Sequence, residues 1–412
     1  MDQNPGTRRS LIALLVGTVA VVALLTWLDG WALPLVIFSI IFIVMAHEFG
    51  HFITAKRSGM KVTDFFVGFG PVIWSTTIGE TRYGVRAILA GGYVKVPGMT
   101  WSETIPEDEE ARTYRSASYP RKVLFASAGS LMHLIMALLL VWAAIVFVGL
   151  PSTSHVGVGD FTKWQGHQEN AAQRAGLKVG DQIVSINGVA ITSDNQLIKA
   201  ISHDAGKQLT LLIDRAGRDL TLHATPVNGT TVKVDGKPLA NHGYLGVGIE
   251  NFGARGTWYG AIPGSFTEVA SLIGLGAHAI VHVFSPGEFA SLAHQVTTPA
   301  AAVNPHNQLT RPDSIVGVVR LAVQSTQNGA GELLGILAAV NIFIGMLNML
   351  PMLPLDGGYV AIATYERLRS RRGVRYQADV NKLVPLVYAF MAVLLFLFAT
   401  TLFLDIAHPI PF

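Results

Sequence analysis

Cysteine is missing from all 412 residues, so disulfides and thiolate metal ligands are both excluded and only His, Asp and Glu remain to hold a metal ion. Charge is scarce as well. Asp, Glu, Lys and Arg make up 14% of the chain, half of it is apolar, and the mean hydropathy is positive. That balance belongs to a membrane protein rather than to the two or three soluble domains the length alone would allow. The formal net charge of +3 is too small for a nucleic-acid binder of this size, and the basic residues sit in particular loops. Nucleic acid is excluded as a partner, and the lipid bilayer is implied as one. Also lacking is a small-x-small cleavage site after the first apolar run. Leu11 to Leu28 follows Arg8 and Arg9 and ends in Thr26-Trp27-Leu28-Asp29-Gly30, which reads as a retained anchor rather than a signal peptide.

What the chain has in quantity is long apolar segments. A bilayer core takes roughly 20 apolar residues of helix. Five segments qualify, at about 11–28, 32–55, 124–149, 333–355 and 384–404; a sixth, about 262–284, is interrupted by Glu268, His278 and His282. Lys and Arg in short loops mark the cytoplasmic side. They crowd 56–122, from Lys56 and Arg57 to Arg121 and Lys122, and 366–382, where Arg367, Arg369, Arg371, Arg372, Arg375 and Lys382 stand. Both stretches are expected inside, with the N-terminus. The chain between 149 and 333 then crosses an even number of times, so 262–284 is expected to lie along the outer surface.

The external stretch 151–255 carries short alternating runs such as Gln182–Ile186 and Leu209–Ile213, broken by Gly and Asn-Gly. It reads as a small β-rich domain. Ala175-Gly176-Leu177-Lys178-Val179-Gly180-Asp181-Gln182-Ile183, followed by Ile186-Asn187-Gly188, resembles a PDZ domain. Tyr244-Leu245-Gly246-Val247 is similar to the peptide-binding carboxylate loop of circularly permuted PDZ modules. On the inner side, Phe65 to Trp74, with Gly68-Phe69-Gly70 at its centre, is apolar but too short and Gly-rich for a spanning helix. With the alternating strand Thr81–Leu89 it reads as a re-entrant β-hairpin.

The chemistry is concentrated in His47-Glu48-Phe49-Gly50-His51. On a helix this H-E-x-x-H pattern puts two imidazoles at i and i+4 on one face, with Glu48 placed to reach a water on the metal between them. Such residues near the inner end of a membrane helix are costly unless they are coordinated or paired. Two imidazoles leave tetrahedral zinc short of a protein ligand, and without cysteine a carboxylate is the natural third. Asp356 supplies it. It follows Asn348-Met349-Leu350-Pro351-Met352-Leu353-Pro354-Leu355 and precedes Gly357-Gly358, where prolines and glycines unwind the chain. The basic loops place His47, His51 and Asp356 at the same inner depth.

H-E-x-x-H on one helix, N-x-x-P-x-x-x-L-D-G on a later one and a PDZ-like insert between them resemble the site-2 protease family of intramembrane zinc metalloproteases. The resemblance covers nearly the whole chain. It is nearest to bacterial regulator-of-sigma-E proteases, and the single PDZ domain with an N-terminal anchor is similar to actinobacterial members. It implies one zinc per chain on His47, His51 and Asp356, Glu48 as catalytic base, and Asn348 holding the substrate backbone. Asn341, a heptad earlier, either assists there or makes an interhelical hydrogen bond. Gly68, Phe69 and Gly70 would contact substrate in the hairpin. Substrates would be single-pass membrane proteins such as membrane-anchored anti-sigma factors, cut after their outer parts have been trimmed; remnant signal peptides are the alternative. The location implied is the bacterial cytoplasmic membrane. One departure stands out: the family's Gly-Pro-x-x-Asn is replaced by Gly129-Ser130-Leu131-Met132-His133, and His133 reads as a packing histidine rather than a ligand.

The expected fold is therefore a polytopic α-helical membrane protein of about five spans, with a re-entrant β-hairpin and one extracytoplasmic PDZ-like α+β domain. The expected divisions are an anchor at 1–30, a first catalytic part at 31–150, the PDZ-like domain at 151–255, a membrane-surface segment and linker at 256–330, and a second catalytic part at 331–412. Two rival functions use the same features differently. A PDZ-bearing scaffold has no need of His47, Glu48, His51 and Asp356, and a metal transporter has no need of a lone general base beside paired imidazoles.

Overall fold

A computed structural model describes residues 8–99, 103–149, 156–162, 164, 169–215, 218–234, 237–251, 257–370 and 376–409. Arg371, Arg372 and Arg375 of the second basic loop lie outside the described residues, as do 151–155 and 252–255 at the two ends of the expected insert. The chain divides into two compact units, Met1–Val141 with Ser265–Phe412, and Trp142–Gly264.

The elements run in chain order as α1 (Arg8–Asp29), α2 (Ala32–Arg57), β1 (Asp64–Ile78), β2 (Thr81–Lys95), α3 (Glu107–Glu110) and α4 (Tyr119–Ala143), which continues as a π turn over Ala144–Val148. The insert follows with β3 (Val156–Phe161), α5 (Ala171–Arg174), β4 (Gln182–Ile186), β5 (Val189–Ala190), α6 (Asp194–Ser202), β6 (Leu209–Asp214) and β7 (Asp219–Ala224). It ends with the two-residue strands β8 (Val227–Asn228), β9 (Lys233–Val234), β10 (Lys237–Pro238) and β11 (Gly243–Tyr244), then β12 (Val247–Asn251). The remaining helices are α7 (Ala261–Val283), α8 (Pro286–Thr297), α9 (Pro299–Ala302), α10 (Pro305–Thr310), α11 (Ile315–Asn328), α12 (Ala330–Asn348), α13 (Asp356–Arg369) and α14 (Val384–Ala407).

Among the described residues six helices are long and apolar enough to cross a membrane: Ser10–Asp29, Ala32–Arg57, Tyr119–Val148, Ala261–Val283, Ala330–Asn348 and Val384–Ala407. The segment read as a surface helix thus has the length and composition of a span, because one Glu and two His dilute its apolar run too little to disqualify it. The expected helix 333–355 is corrected. It stops at Asn348, since Pro351 and Pro354 cannot donate to the helical ladder, and a second helix begins at Asp356. In the expected membrane-surface segment and linker 256–330, the part after the surface segment is also largely helical. Its α11 belongs to the core of the larger unit, where Ala322 and Val323 pack with Val36 and Ile43 of α2 and Leu333 and Leu337 of α12. The α14 terminus is tied to the start of α11 by the buried pair Arg311 Nη2–Asp405 Oδ1 at 3.0 Å, and the Ser314 N–H donates to Asp405 Oδ2.

The stretch 64–95 is more than a plain hairpin. Val72–Ile78 pairs antiparallel with Thr81–Arg86, while Asp64–Val67 lies between Arg82–Val85 and Gly92–Lys95. Two long strands thereby fold into a sheet four strands wide, with Gly92–Lys95 along one edge. Phe66 is fully buried inside it, and the Arg86 guanidinium sits over the rings of Phe66 and Tyr93. That arrangement holds a cation inside an apolar sheet by cation–π contact and by a hydrogen bond to the Tyr93 hydroxyl at 2.7 Å.

The unit Trp142–Gly264 holds a six-stranded sheet ordered β12-β3-β4-β6-β7, with β5 on β4. Leu209, Leu211 and Ile213 alternate inward along β6 as a half-buried strand requires. In β4 the alternation breaks, because a bulge between Ile183 and Ser185 turns both Ile183 and Ile186 to the core. Asn187 and Gly188, both at positive φ, make the tight turn into β5. β12 is an outer strand of this sheet and leaves directly from Tyr244-Leu245-Gly246.

Candidate metal centre

α2 ends where the sequence makes it end. Lys56 and Arg57 occupy its last turn, Gly59 takes positive φ, the Gly59 N–H donates to Lys56 O, and the Met60 N–H donates to Ala55 O at 3.0 Å. This is a Schellman stop, and it fixes the turns just before it, which carry His47 and His51. Both imidazoles are buried and face α4.

Two glycines allow that contact. A Cβ on Gly50 would stand 2.6 Å from Ala128 O, and a Cβ on Gly129 would stand 2.2 Å from His47 Cε1. The His47 ring therefore fills the space that any other residue at 129 would occupy. On the same helix the Phe125 carbonyl accepts the His51 Nδ1–H at 2.8 Å. That bond fixes the tautomer and leaves the Nε2 lone pair facing inward.

Asp356 opens α13. Its approach is set by the two glycines after it, since a Cβ on Gly357 would stand 2.2 Å from Met349 O and one on Gly358 2.7 Å from Leu353 N. The 349–355 loop thus folds flat against the first turn of α13 and carries the carboxylate to the histidines. His51 Nε2 lies 3.2 Å from both His47 Nε2 and Asp356 Oδ2, and His47 Nε2 lies 3.3 Å from Asp356 Oδ2. Ligands about 2.0–2.1 Å from a tetrahedral zinc stand about 3.3 Å apart, so the three atoms already have the spacing of a zinc ligand set. Among the described residues no other group of three His, Asp and Glu side chains is placed to share a metal ion.

Glu48 is half-buried beside Gly92 and the backbone of Val94, on the edge strand of the four-stranded sheet. A Cβ at Gly92 would come within 3.1 Å of Glu48 Cγ. Asn348 is the last residue of α12 and half-buried. Gly68 and Gly70, both at positive φ, turn β1 back on itself, and Phe69 between them is exposed and stacks on Tyr93.

Asn341 goes elsewhere. It is fully buried, its Nδ2 donates to Leu337 O, and its Oδ1 stands 3.0 Å from His133 Nδ1. It is an interhelical partner of α4 rather than a group facing substrate. Sequence reasoning set the Gly129–His133 turn aside, yet both of its ends touch His47. The His133 ring lies 5.0 Å from that of His47, outside the set of three and against it. The signal that could have found this was Gly129 itself, a glycine at the place where a second membrane helix must pass a histidine.

In the insert, the Leu245 side chain is buried, and the carbonyls of Leu245 and Gly246 accept from Ala172 N–H and Asn170 Nδ2. Those bonds pin the Tyr244–Val247 turn to α5 and its cap.

Comparison with known proteins settles the class. A family model described as peptidase family M50 matches residues 35–395. The chain belongs to peptidase family M50. This family is that of the site-2 proteases, so the protein is a membrane-integral metalloendopeptidase with zinc as its cofactor. It is 30% identical over 402 residues to zinc metalloprotease Rip1 of Mycobacterium tuberculosis, covering 90% of this chain and 96% of that one. Rip1 of Mycolicibacterium smegmatis is 29% identical over 415 residues, with 92% and 98% covered. A putative zinc metalloprotease of Nostoc is 28% identical over 333 residues, with 80% and 84% covered.

Proposed function

We propose that this M50 peptidase cuts single-pass membrane proteins within the bilayer, using His47, His51 and Asp356 to hold zinc and Glu48 to move protons. The observation that carries the reading is the mutual spacing of the three ligand atoms with Glu48 one residue away. When bound there, zinc supplies a Lewis acid for the scissile carbonyl and brings the pKa of a water toward neutrality. The Glu48 carboxylate takes the proton of the attacking water and returns it to the leaving amine. Phe125 holds His51 in the tautomer this requires, and the Asn348 amide binds the substrate backbone.

A helical substrate hides its carbonyls in its own hydrogen bonds and must be unwound before attack. The Gly92–Lys95 edge beside Glu48 suits that task, since an extended segment adds to an open strand through its backbone. The insert suits a filter. Among the described residues β12 is an open edge that leaves from the Tyr244-Leu245-Gly246 turn, the arrangement by which PDZ domains take a C-terminal peptide as an added strand. A trimmed substrate presents such a new C-terminus. Membrane-anchored anti-sigma factors are the class that the site-2 protease resemblance implies, with the insert outside and the metal centre near the cytoplasmic face of the bacterial inner membrane.

The test is cleavage in proteoliposomes of one single-pass substrate in full-length and outer-trimmed forms. The trimmed form is expected to be cut faster by the intact enzyme, and deletion of 160–250 is expected to erase that preference. Equal rates on both forms by the intact enzyme would sink the filter.

A further inference from the structure

At the start of α4 and the end of α13 the structure opens a cavity of about 400 Å³, lined among others by Arg115, Ser118, Tyr119, Lys122, Arg367 and Tyr376. It lies away from the metal centre, and the mechanism above does not use it. Its volume falls at the small end of ligand pockets, which run from about 300 to 1,000 Å³.

The charges on its wall are unevenly settled. Lys122 Nζ meets Glu366 Oε2 at 2.9 Å, both side chains about nine-tenths buried, and the other Glu366 oxygen accepts the Ala378 N–H. Arg115 is closed on Glu110 by bonds of 2.7 and 2.6 Å. Those two pairs are neutral. Arg367 is exposed and has no ion-pair partner among the described residues. Among the described residues lining the cavity, Arg367 is the cation left without an acidic partner, and the Arg369 guanidinium lies over the ring of Tyr376. The start of α4, a helix of 25 residues, adds the partial positive charge of its dipole, with Pro120 lacking an N–H and the Lys122 N–H already given to Ser118 O. Next to Lys122 the Tyr114 hydroxyl is buried without a hydrogen-bond partner, in a smaller recess that shares Arg115, Lys122 and Glu366 with the cavity.

The rim tells which anion fits. Tyr119 and Tyr376 stand partly exposed on it, and Tyr365 of α13, whose ring packs on that of Tyr376, is exposed beside it. Tyrosines over a cationic recess at the start of a membrane-spanning helix are the features of a bilayer interface.

We propose that this cavity binds the phosphate of an anionic phospholipid headgroup, with Arg367 and the start of α4 on the phosphate and the acyl chains leaving past the tyrosines of the rim. The lipid bridges α4, which carries Phe125 and Gly129 to the histidines, and α13, whose first residue is Asp356. It thereby braces the two helices that meet at the metal centre. The proposal rests on the reading that this end of the unit lies at the cytoplasmic interface.

The test uses the full chain in nanodiscs of phosphatidylcholine with or without phosphatidylglycerol, which offer both leaflets and so do not depend on orientation. Bound lipid is counted by native mass spectrometry, and thermal unfolding is followed in parallel. Phosphatidylglycerol is expected to bind and to raise the unfolding temperature. Arg367→Ala is expected to lower its affinity about tenfold, the worth of one charge-assisted bond, whereas Arg57→Ala, a surface cation at the end of α2, leaves it unchanged. Inorganic phosphate is added to the phosphatidylcholine discs as a separate arm. Arg367-dependent stabilisation by phosphate alone would make the occupant a free anion and overturn the lipid assignment, as would equal phosphatidylglycerol affinity in Arg367→Ala and the intact chain. Zinc content and peptide cleavage in the phosphatidylcholine discs report the peptidase reading separately.

Discussion

Gly129→Ala is the smallest change that should empty the metal centre. The new Cβ would stand 2.2 Å from His47 Cε1 and 2.5 Å from both ring nitrogens, where ordinary contact begins at 3.4 Å. Relief by ring movement alone displaces the imidazole by about 1.2 Å, against a tolerance of about 0.2 Å in a zinc–ligand distance. Relief by retreat of α4 instead breaks the 2.8 Å bond from His51 Nδ1 to the Phe125 carbonyl. Either way one of the three proposed ligands is lost or misdirected. Zinc affinity is expected to fall by more than the roughly 10–100-fold that removal of a supporting hydrogen bond costs. The assay is zinc stoichiometry by elemental analysis after dialysis against a weak chelator, with helical content by circular dichroism to show that the chain is folded. Gly335→Ala is the control, because a Cβ there meets nothing within 4 Å. If folded Gly129→Ala retained one zinc per chain with unchanged affinity, the packing of His47 against α4 would not matter and the reasoning would fail.

Three further outcomes follow from the same geometry. His133→Ala is expected to weaken zinc binding about tenfold by loosening the wall behind His47, and His133→Asn, which can still bond to Asn341, to restore most of it; equal loss in both would reduce His133 to filler. Arg311→Met leaves Asp405 buried without its cation and is expected to cost about 3–5 kcal/mol in stability, read by thermal unfolding in detergent. Arg112 first and Lys56 second hold the Glu80 carboxyl at about 2, well below its ordinary 4.5. Because the folded value is depressed, the stabilisation is whole above about 4.5 and is lost as pH falls toward about 2. Amide exchange at the turn between β1 and β2, corrected for its intrinsic pH dependence, is expected to rise over that window in the intact chain and to stay flat in Glu80→Gln.

The parts of the fold legible in the sequence were those written in one segment at a time. Apolar runs of helix length announced α1, α2, α4, α12 and α14, and the i, i+4 spacing put His47 and His51 on one face. Contacts between distant segments were harder to see. Nothing local shows that Asp64–Val67 pairs on both sides, which makes a four-stranded sheet from what reads as a hairpin. The amphipathic α11 is polar enough to pass for linker, and only its burial against α2 and α12 reveals its place. At the site, the carboxylate was found by chemistry, because zinc needs a third ligand and cysteine is absent. Gly50, Gly129 and the His133–Asn341 bond were not, because each depends on which helix lies against which. The end of α12 was misjudged because hydropathy runs on through Leu350, Met352 and Leu353 where the prolines stop the helix.

The central claim is that Glu48 moves protons at a zinc it does not hold. The direct measurement is to purify the intact chain and Glu48→Gln side by side, count zinc in each, and follow cleavage of a model transmembrane peptide. One zinc per chain in both, with cleavage lost in the variant, is the result expected. Cleavage at an undiminished rate by zinc-loaded Glu48→Gln would contradict the account.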